Sequence, residues 1–295
     1  MRASAFLHDT RTVLEMIKFE HTLFALPFAF MGMMLAAEGW PSWRTVGWIV
    51  VAMVGARSAA MGFNRLVDRK IDAENPRTAT RALPAGQVSP GWVAGFVAVS
   101  AALLVVACWR LNPLTLALSP IALAVVLGYS FTKRFTWASH LVLGLALAIA
   151  PVGAWAAVRG TLDGTPFLLA GAVLLWVAGF DVLYALQDLD FDRRRGLHSI
   201  PARFGVVGSL WISGVLHALM LGVLAVLPAV YAAGDGEPLG WIYGAGWLGC
   251  LLLVTYQHWL VRPADLSRLD AAFFQANGAL SLWLFAATAA DLLLG

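Results

Sequence analysis

Charge is what this sequence has least of. Only 13% of its 295 residues are Asp, Glu, Lys or Arg, whereas 60% are hydrophobic, and the mean hydropathy is +0.76. An ordinary soluble domain carries about twice that share of charge, so this class is excluded. Cysteine is nearly absent: Cys108 and Cys250 are the only two, both fall in apolar runs, and neither points to a disulfide. No basic domain exists to grip a duplex. The pI of about 9.1 therefore reflects membrane topology and an affinity for anionic lipid or substrate, not nucleic acid. The opening "MRASAFLHDTRTVLEMIKFEH" lacks a compact apolar core followed by a small-residue cleavage site. It reads as a segment, about 1–19, lying along the membrane surface rather than as a signal peptide.

What is present is a series of apolar runs long enough to span about 30 Å of hydrocarbon as helices, without the alternation of a membrane β-barrel. The fold class is all-α and polytopic. Nine spans are expected at 20–38, 44–63, 91–109, 112–128, 139–158, 166–186, 207–232, 240–260 and 272–294. With the N-terminus inside, one face of the membrane receives Arg2, Arg11, Lys18, Arg65, Arg69, Lys70, Arg77, Arg81, Lys133, Arg134, Arg193, Arg194, Arg195, Arg203, Arg262 and Arg268. The opposite face receives only Arg44, Arg110 and Arg159. This asymmetry predicts an N-in, C-out orientation.

Two of the inner loops, about 64–90 and 187–206, are long, and both open with carboxylates. "NRLVDRKID" places Asn64, Asp68 and Asp72 four residues apart, within about 80° on a helix continuing past the membrane. "DVLYALQDLDFD" places Asp181, Asp188 and Asp192 within about 40° on a continuous helix, with Asp190 pointing away to solvent. Like charges stacked beside a low-dielectric membrane repel unless a cation neutralises them. Carboxylate and amide oxygens, without His or Cys, suit a hard ion, and Mg²⁺ joins one or two carboxylates to phosphate oxygens. Two such stripes facing one another are expected to hold Mg²⁺ around a diphosphate. Arg77, Arg81, Lys133, Arg134, Arg194 and Arg195, on the same side, are candidates for binding its oxygens, with Arg77 and Lys133 foremost. Each alone also serves as a positive-inside anchor.

Together these residues resemble the UbiA-type intramembrane aromatic prenyltransferases. "NRLVDRKID" running into "ENPRTATRALPAG" is similar to the family's NxxxDxxxD motif, with Asn64, Asp68, Asp72, Arg77 and Arg81 at matching positions. "DVLYALQDLDFD" resembles its DxxYAxxDxxxD motif, supplying Asp181, Tyr184, Asp188 and Asp192, and "YSFTKRFT" supplies Tyr129, Lys133 and Arg134. The likeness covers roughly 15–290 and makes 1–295 a single domain. It implies a central cavity opening to the cytoplasmic side of a bacterial inner membrane. There Mg²⁺ and the two Asp-rich motifs bind a polyprenyl diphosphate, whose ionisation gives an allylic cation that an electron-rich aromatic acid attacks. Asn64, Asp68, Asp72, Asp181, Asp188 and Asp192 are the implied metal-binding set. Asp68, Asp72, Asp188 and Asp192 are also implied in catalysis, and Arg77, Arg81, Lys133, Arg134 and Arg195 in diphosphate binding. Tyr129 and Tyr184 could face the cation with their rings, although Tyr at a membrane interface is commonly an anchor.

Arg57 stands inside a span, where a guanidinium must face a cavity or a partner. It lies seven residues before Asn64, two turns along the same face. The resemblance implies that Arg57 holds the acceptor's carboxylate; pairing with the aspartates is the alternative. His21, His140 and His198 flank the motifs and are candidates for contact with acceptor or diphosphate, His21 with the acceptor, though a lone His at a helix end is ordinarily structural. The 4-hydroxybenzoate enzymes usually carry Asn-Asp, Tyr-Pro and Pro-Gln where this chain has Asn64-Arg65, Tyr129-Ser130 and Ser139-His140. "KFEHTLFALPFAF" and "GLHSIPARFG" look more like the group associated with the futalosine route to menaquinone, whose acceptor is a dihydroxynaphthoate. Either acid suits Arg57. Acceptors of the haem or chlorophyll type within the same superfamily are the alternative, and a secondary transporter is the alternative class. The expected partners are the two substrates and membrane lipid, with no obligate protein partner.

Overall fold

The computed structural model describes residues 2–16, 26–234 and 236–295. Their regular secondary structure is helical, apart from an isolated bridge between Arg262 and Asp265. In chain order the helices are α1 (Arg2–Met16), α2 (Leu26–Ala37), α3 (Trp43–Glu74), α4 (Pro90–Leu111), α5 (Pro113–Gly128), α6 (Ser139–Arg159) and α7 (Gly164–Tyr184). There follow α8 (Leu189–Arg195), α9 (Ile200–Ala233), α10 (Trp241–Leu260), the short turn α11 (Leu269–Ala271) and α12 (Asn277–Leu294). Among the described residues, seven helices are long and apolar enough to cross a membrane, and α2 is apolar but has only 12 described residues. The eighth expected span, 240–260, coincides with α10, which is 20 residues long and falls outside those seven. Polar residues mark the helix starts. The side chains of Ser42, Ser89, Asn112, Asp163 and Ser199 each accept a hydrogen bond from a backbone N–H in the first turn, satisfying donors with no partner inside the helix.

α3 packs on α4, α6 on both α2 and α7, α7 on α9, and α10 on α12. Small residues set these distances, as in other bilayer helices. A Cβ on Gly55 would lie 2.8 Å from the backbone of α4, and one on Gly144 would overlap the Leu174 carbonyl of α7. The largest buried cluster runs between α2, α6, α7 and α9 around Phe28, Met31, Trp155, Trp176 and Leu224. α1 lies against a separate cluster, its Val13 and Met16 packing with Ala82, Leu83, Val88 and Val93.

Two features decide where the chemistry sits. With 32 residues, α3 is about 48 Å long at 1.5 Å per residue, so it outruns the hydrocarbon and carries Asn64, Asp68 and Asp72 beyond it on one helix. The second motif is different. α7 ends at Tyr184, a 3₁₀ turn covers Ala185–Asp188 and α8 restarts at Leu189. The continuous helix expected through Asp192 is therefore interrupted, and the 3.6-residue arithmetic does not carry across the break. Gly205, at φ +70°, likewise separates the first turn of α9 from the long helix beyond it, which is where the seventh span was expected to begin.

Candidate functional site

A cavity of about 1240 Å³ runs through the bundle. One end is charged. Asn64, Asp68 and Asp72 of α3 line it together with Asp181 of α7, Asp188 and Asp192, so the two motifs share one chamber. Arg57, Arg77, Arg81, Lys133, Tyr129 and Tyr184 line the same space. The apolar remainder passes Met53, Leu104, Leu118 and Leu147 to Leu162 and Phe167, at the opposite end of α7. Since α7 has 21 residues, the chamber is about 30 Å deep.

Each carboxylate is held. Asp68, only 3% exposed, receives Lys133 Nζ at 3.3 Å, Arg134 Nη2 at 3.1 Å and the Asn64 amide at 3.2 Å. Arg134 also donates to the Val67 carbonyl at 2.7 Å. Asp72 accepts two 2.9 Å bonds from Arg81 Nη1 and lies 3.7 Å from Arg65. Asp188 takes the Arg77 Nε at 2.9 Å, the Arg77 Nη2 and the Asn75 amide at 2.8 Å. Asp192 accepts from the Ser199 hydroxyl at 2.9 Å. Asp181 meets His140 Nδ1 at 2.7 Å, and His140 Nε2 accepts the Ile200 N–H at 3.2 Å. Because Nε2 accepts, the ring proton is on Nδ1 and His140 donates to Asp181. Burial alone would loosen the proton on Arg77, but the hydrogen bond and charge of Asp188 outweigh it and hold that proton more tightly than usual. The cations thus supply the positive charge that stacked carboxylates need, and a buried carboxylate without them would be far costlier.

The expected residues do not all converge. Arg134 grips α3 from beside the cavity rather than lining it, and its guanidinium also lies over Phe131 at 5.6 Å. Arg195 stands at the surface in an ion pair with Glu74 at 2.8 Å, and Arg194 is exposed beside it. The sequence places Arg195 in the diphosphate set by its charge and side of the membrane; the structure gives that charge a partner outside the chamber. His198 is exposed and contributes backbone groups, its N–H bonding the Lys133 carbonyl at 2.7 Å. His21 lies outside the described residues. Asp190 is exposed.

Four contributors go unmarked in the sequence reading. Asn75 ends α3, with its amide on Asp188 and its Oδ1 accepting the Arg77 N–H at 3.0 Å, so it joins the two motifs. The Asn75-Pro76 step was the available signal, since proline ends helices and the residue before it caps them. Arg65, buried on the cavity wall beside Asp72, hides in a motif read only for its acids. Phe273 and Phe274, which also line the chamber, carry no sequence signal beyond their apolarity.

The donor set can be tested against Mg²⁺. Six oxygen-bearing side chains, Asn64, Asp68, Asp72, Asp181, Asp188 and Asp192, share the chamber, and oxygen is what a hard cation requires. Among the described residues no three His, Cys, Asp or Glu side chains gather as a cage. Mg²⁺ is held by one or two carboxylates and completes its shell with water and phosphate. The residues fit the ion.

Comparison with known proteins follows the same direction. The model of the UbiA prenyltransferase family matches residues 25–285. The 4-hydroxybenzoate octaprenyltransferase of Aliivibrio fischeri strain MJ11 is 33% identical over 243 residues, covering 82% of each chain. The apo structure of a UbiA homologue from Aeropyrum pernix K1 superposes with a TM-score of 0.82 at 34% identity, over 93% of this chain and 98% of that one. A UbiA homologue from Archaeoglobus fulgidus, solved with DMAPP and Mg²⁺, shares the fold at a TM-score of 0.75 and 18% identity, over 96% of this chain and all of that one.

Proposed function

The chain belongs to the UbiA prenyltransferase family, and from that premise we propose that it transfers a polyprenyl group from polyprenyl diphosphate to an aromatic acid in respiratory quinone synthesis. The observation that carries this reading is a single chamber, about 30 Å deep, with oxygen donors and guanidinium groups at one end and apolar wall beyond. A diphosphate with a long hydrocarbon tail has that polarity. The acid is of the 4-hydroxybenzoate or dihydroxynaphthoate type. The A. fischeri relative bears the first acceptor in its name, while Arg65, Ser130 and Ser139-His140 depart from that branch's usual pattern and the stretch "GLHSIPARFG" resembles the group with the second.

In this proposal Asn64, Asp68, Asp72, Asp181, Asp188 and Asp192 hold Mg²⁺, which when bound supplies positive charge that stabilises a leaving diphosphate. Arg77, Arg81 and Lys133 bind diphosphate oxygens, turning from the aspartates they now neutralise. The allylic C–O bond breaks with its electron pair going to diphosphate. The acceptor ring donates a π pair to the allylic carbon, and loss of the proton from that ring carbon restores aromaticity. Arg57, facing the chamber from α3, grips the acceptor carboxylate, and the apolar walls keep water from the cation. The whole chain is one domain with nine spans, N-terminus inside and the charged end toward the cytoplasm, in a bacterial inner membrane. α2 and α10 complete the nine.

Replacing Asp68 or Asp192 tests this reading. Asp68→Ala and Asp192→Ala are each expected to abolish Mg²⁺-dependent diphosphate release, and chelation of the wild type to do the same, while both variants insert and purify normally. Activity within a few fold of wild type in either variant would remove the metal assignment.

A further inference from the structure

Between α11 and α12 the chain makes a π-helical turn, Ala272–Ala276, and three buried polar side chains from three helices meet around it. Gln257 of α10 donates its amide to the Ala272 carbonyl at 3.1 Å, and Asn277 of α12 donates to the Phe273 carbonyl at 2.8 Å. The Asn277 Oδ1 accepts the indole N–H of Trp176 of α7 at 2.9 Å. Gln257, Asn277 and Trp176 are no more than 2% exposed. Amides inside a bilayer bundle are costly, so a cluster of them calls for a reason. A wide turn breaks the ordinary i to i−4 pattern and leaves carbonyls in need of donors, and these amides supply them.

What the turn delivers is a pair of consecutive phenylalanines, both lining the cavity. Phe273 stacks on Tyr184 with centroids 4.1 Å apart, sits edge-on to Phe180 at 5.2 Å, and meets Phe274 edge-on at 4.7 Å. Phe274 in turn lies 6.2 Å from Tyr184. The guanidinium of Arg77 lies 5.5 Å over the Tyr184 ring and donates to its hydroxyl at 3.4 Å. Tyr184 is thus already engaged by Phe273 on its ring and by Arg77 at its ring and hydroxyl. A positive charge next to Arg77 would also be repelled. Phe273 and Phe274 thus add aromatic surface to the chamber wall alongside Tyr129 and Tyr184, close to Arg77 of the diphosphate-binding set.

We propose that the π-turn, held open by Gln257 and Asn277, positions Phe273 and Phe274 as the ring wall that stabilises the allylic cation, with Tyr184 as its buttress. This rests on the proposed prenyl transfer. The ring faces are negative in the quadrupole sense, and in a dry chamber a carbocation gains more from them than it would in water. Gln257 and Asn277 act through the turn and are positioning residues.

Replacing Phe273 by mono-, di- and trifluorophenylalanine weakens the quadrupole at nearly constant shape. The single-turnover rate with geranyl diphosphate should fall stepwise, by about 3- to 30-fold across the series, the span a cation–π contact sets, while donor affinity stays within threefold. A rate within twofold of unmodified protein throughout would overturn the cation role. Asn277→Leu should slow the same step at least tenfold, and Phe273→Leu added to it should slow it no further. Additive losses would overturn positioning through Asn277. Wild-type protein that releases no diphosphate would instead sink the underlying reading, so the two failures are distinguishable.

Discussion

Arg57 and Arg65 face the same chamber from α3, and Arg65 lies 3.7 Å from Asp72. In the proposed reaction Arg57 grips the acceptor carboxylate. Arg57→Ala is expected to lower kcat/KM for the aromatic acid by about 10²-fold, given hydrogen bonds to charged groups of about 1.5–3 kcal/mol, with the donor KM nearly unmoved. Arg57→Lys should recover only part, because an ammonium cannot reproduce a bidentate fork. Steady-state kinetics on both substrates checks this, and a change confined to donor or Mg²⁺ binding would make Arg57 a counter-charge instead. Single residues were legible where local periodicity reports them. Asn64, Asp68 and Asp72 recur every four residues on an unbroken helix, so their shared face follows from the repeat. Asn75 on Asp188 and His140 on Asp181 were not legible, because those pairs span 113 and 41 residues and exist only once the helices are packed. Arg195 shows the same limit: its charge and membrane side are in the sequence, but its ion pair with Glu74 is not.

Helices were readable from apolar length, and their ends from caps. Asn112 is an example: as the cap of α5 it also donates to the Ala156 and Ala157 carbonyls of α6 at 2.7 and 3.2 Å, which is how so tight a turn between α4 and α5 is sustained. Breaks inside helices were hidden. Nothing in "DVLYALQDLDFD" resembles a proline or glycine stop, and no local signal marks the π-turn at Ala272, whose freed carbonyls are satisfied from other helices. Glycine at helix crossings is testable. Gly144→Leu must push α6 off the α7 backbone and is expected to destabilise the bundle by about 1–3 kcal/mol or more. A Cβ on Gly171 of α7 would meet nothing within 4 Å, so Gly171→Leu should cost less. Thermal unfolding in detergent separates them; equal stability of the two variants would contradict the packing described for α6 and α7.

For the molecule as a whole, the charge asymmetry and the placement of both Asp-rich segments at one end of the chamber lead to one orientation. Cysteine introduced at the exposed Lys70 should resist a membrane-impermeant thiol reagent in intact cells, and cysteine at Gly295 should react. Cys108 and Cys250 are buried and give little background. The opposite pattern would invert the topology. Whole-molecule shape lay beyond the sequence. Hydropathy locates helices but says nothing of the space between them, and the chamber exists because α3, α5, α6 and α7 leave a continuous gap lined by small and apolar side chains such as Ala56, Ala122 and Ala150. That gap is what turns two acidic segments into a site for an amphipathic diphosphate. The central claim is most directly tested by mass spectrometry of the products formed when purified protein in lipid receives Mg²⁺, a long-chain polyprenyl diphosphate and a panel of aromatic acids and non-acidic analogues. The account predicts a C-prenylated aromatic acid, formed with 4-hydroxybenzoate or a dihydroxynaphthoate and lost on chelation. Prenylation of only the non-acidic acceptors, or no prenylated product from an intact and correctly inserted protein, would contradict it.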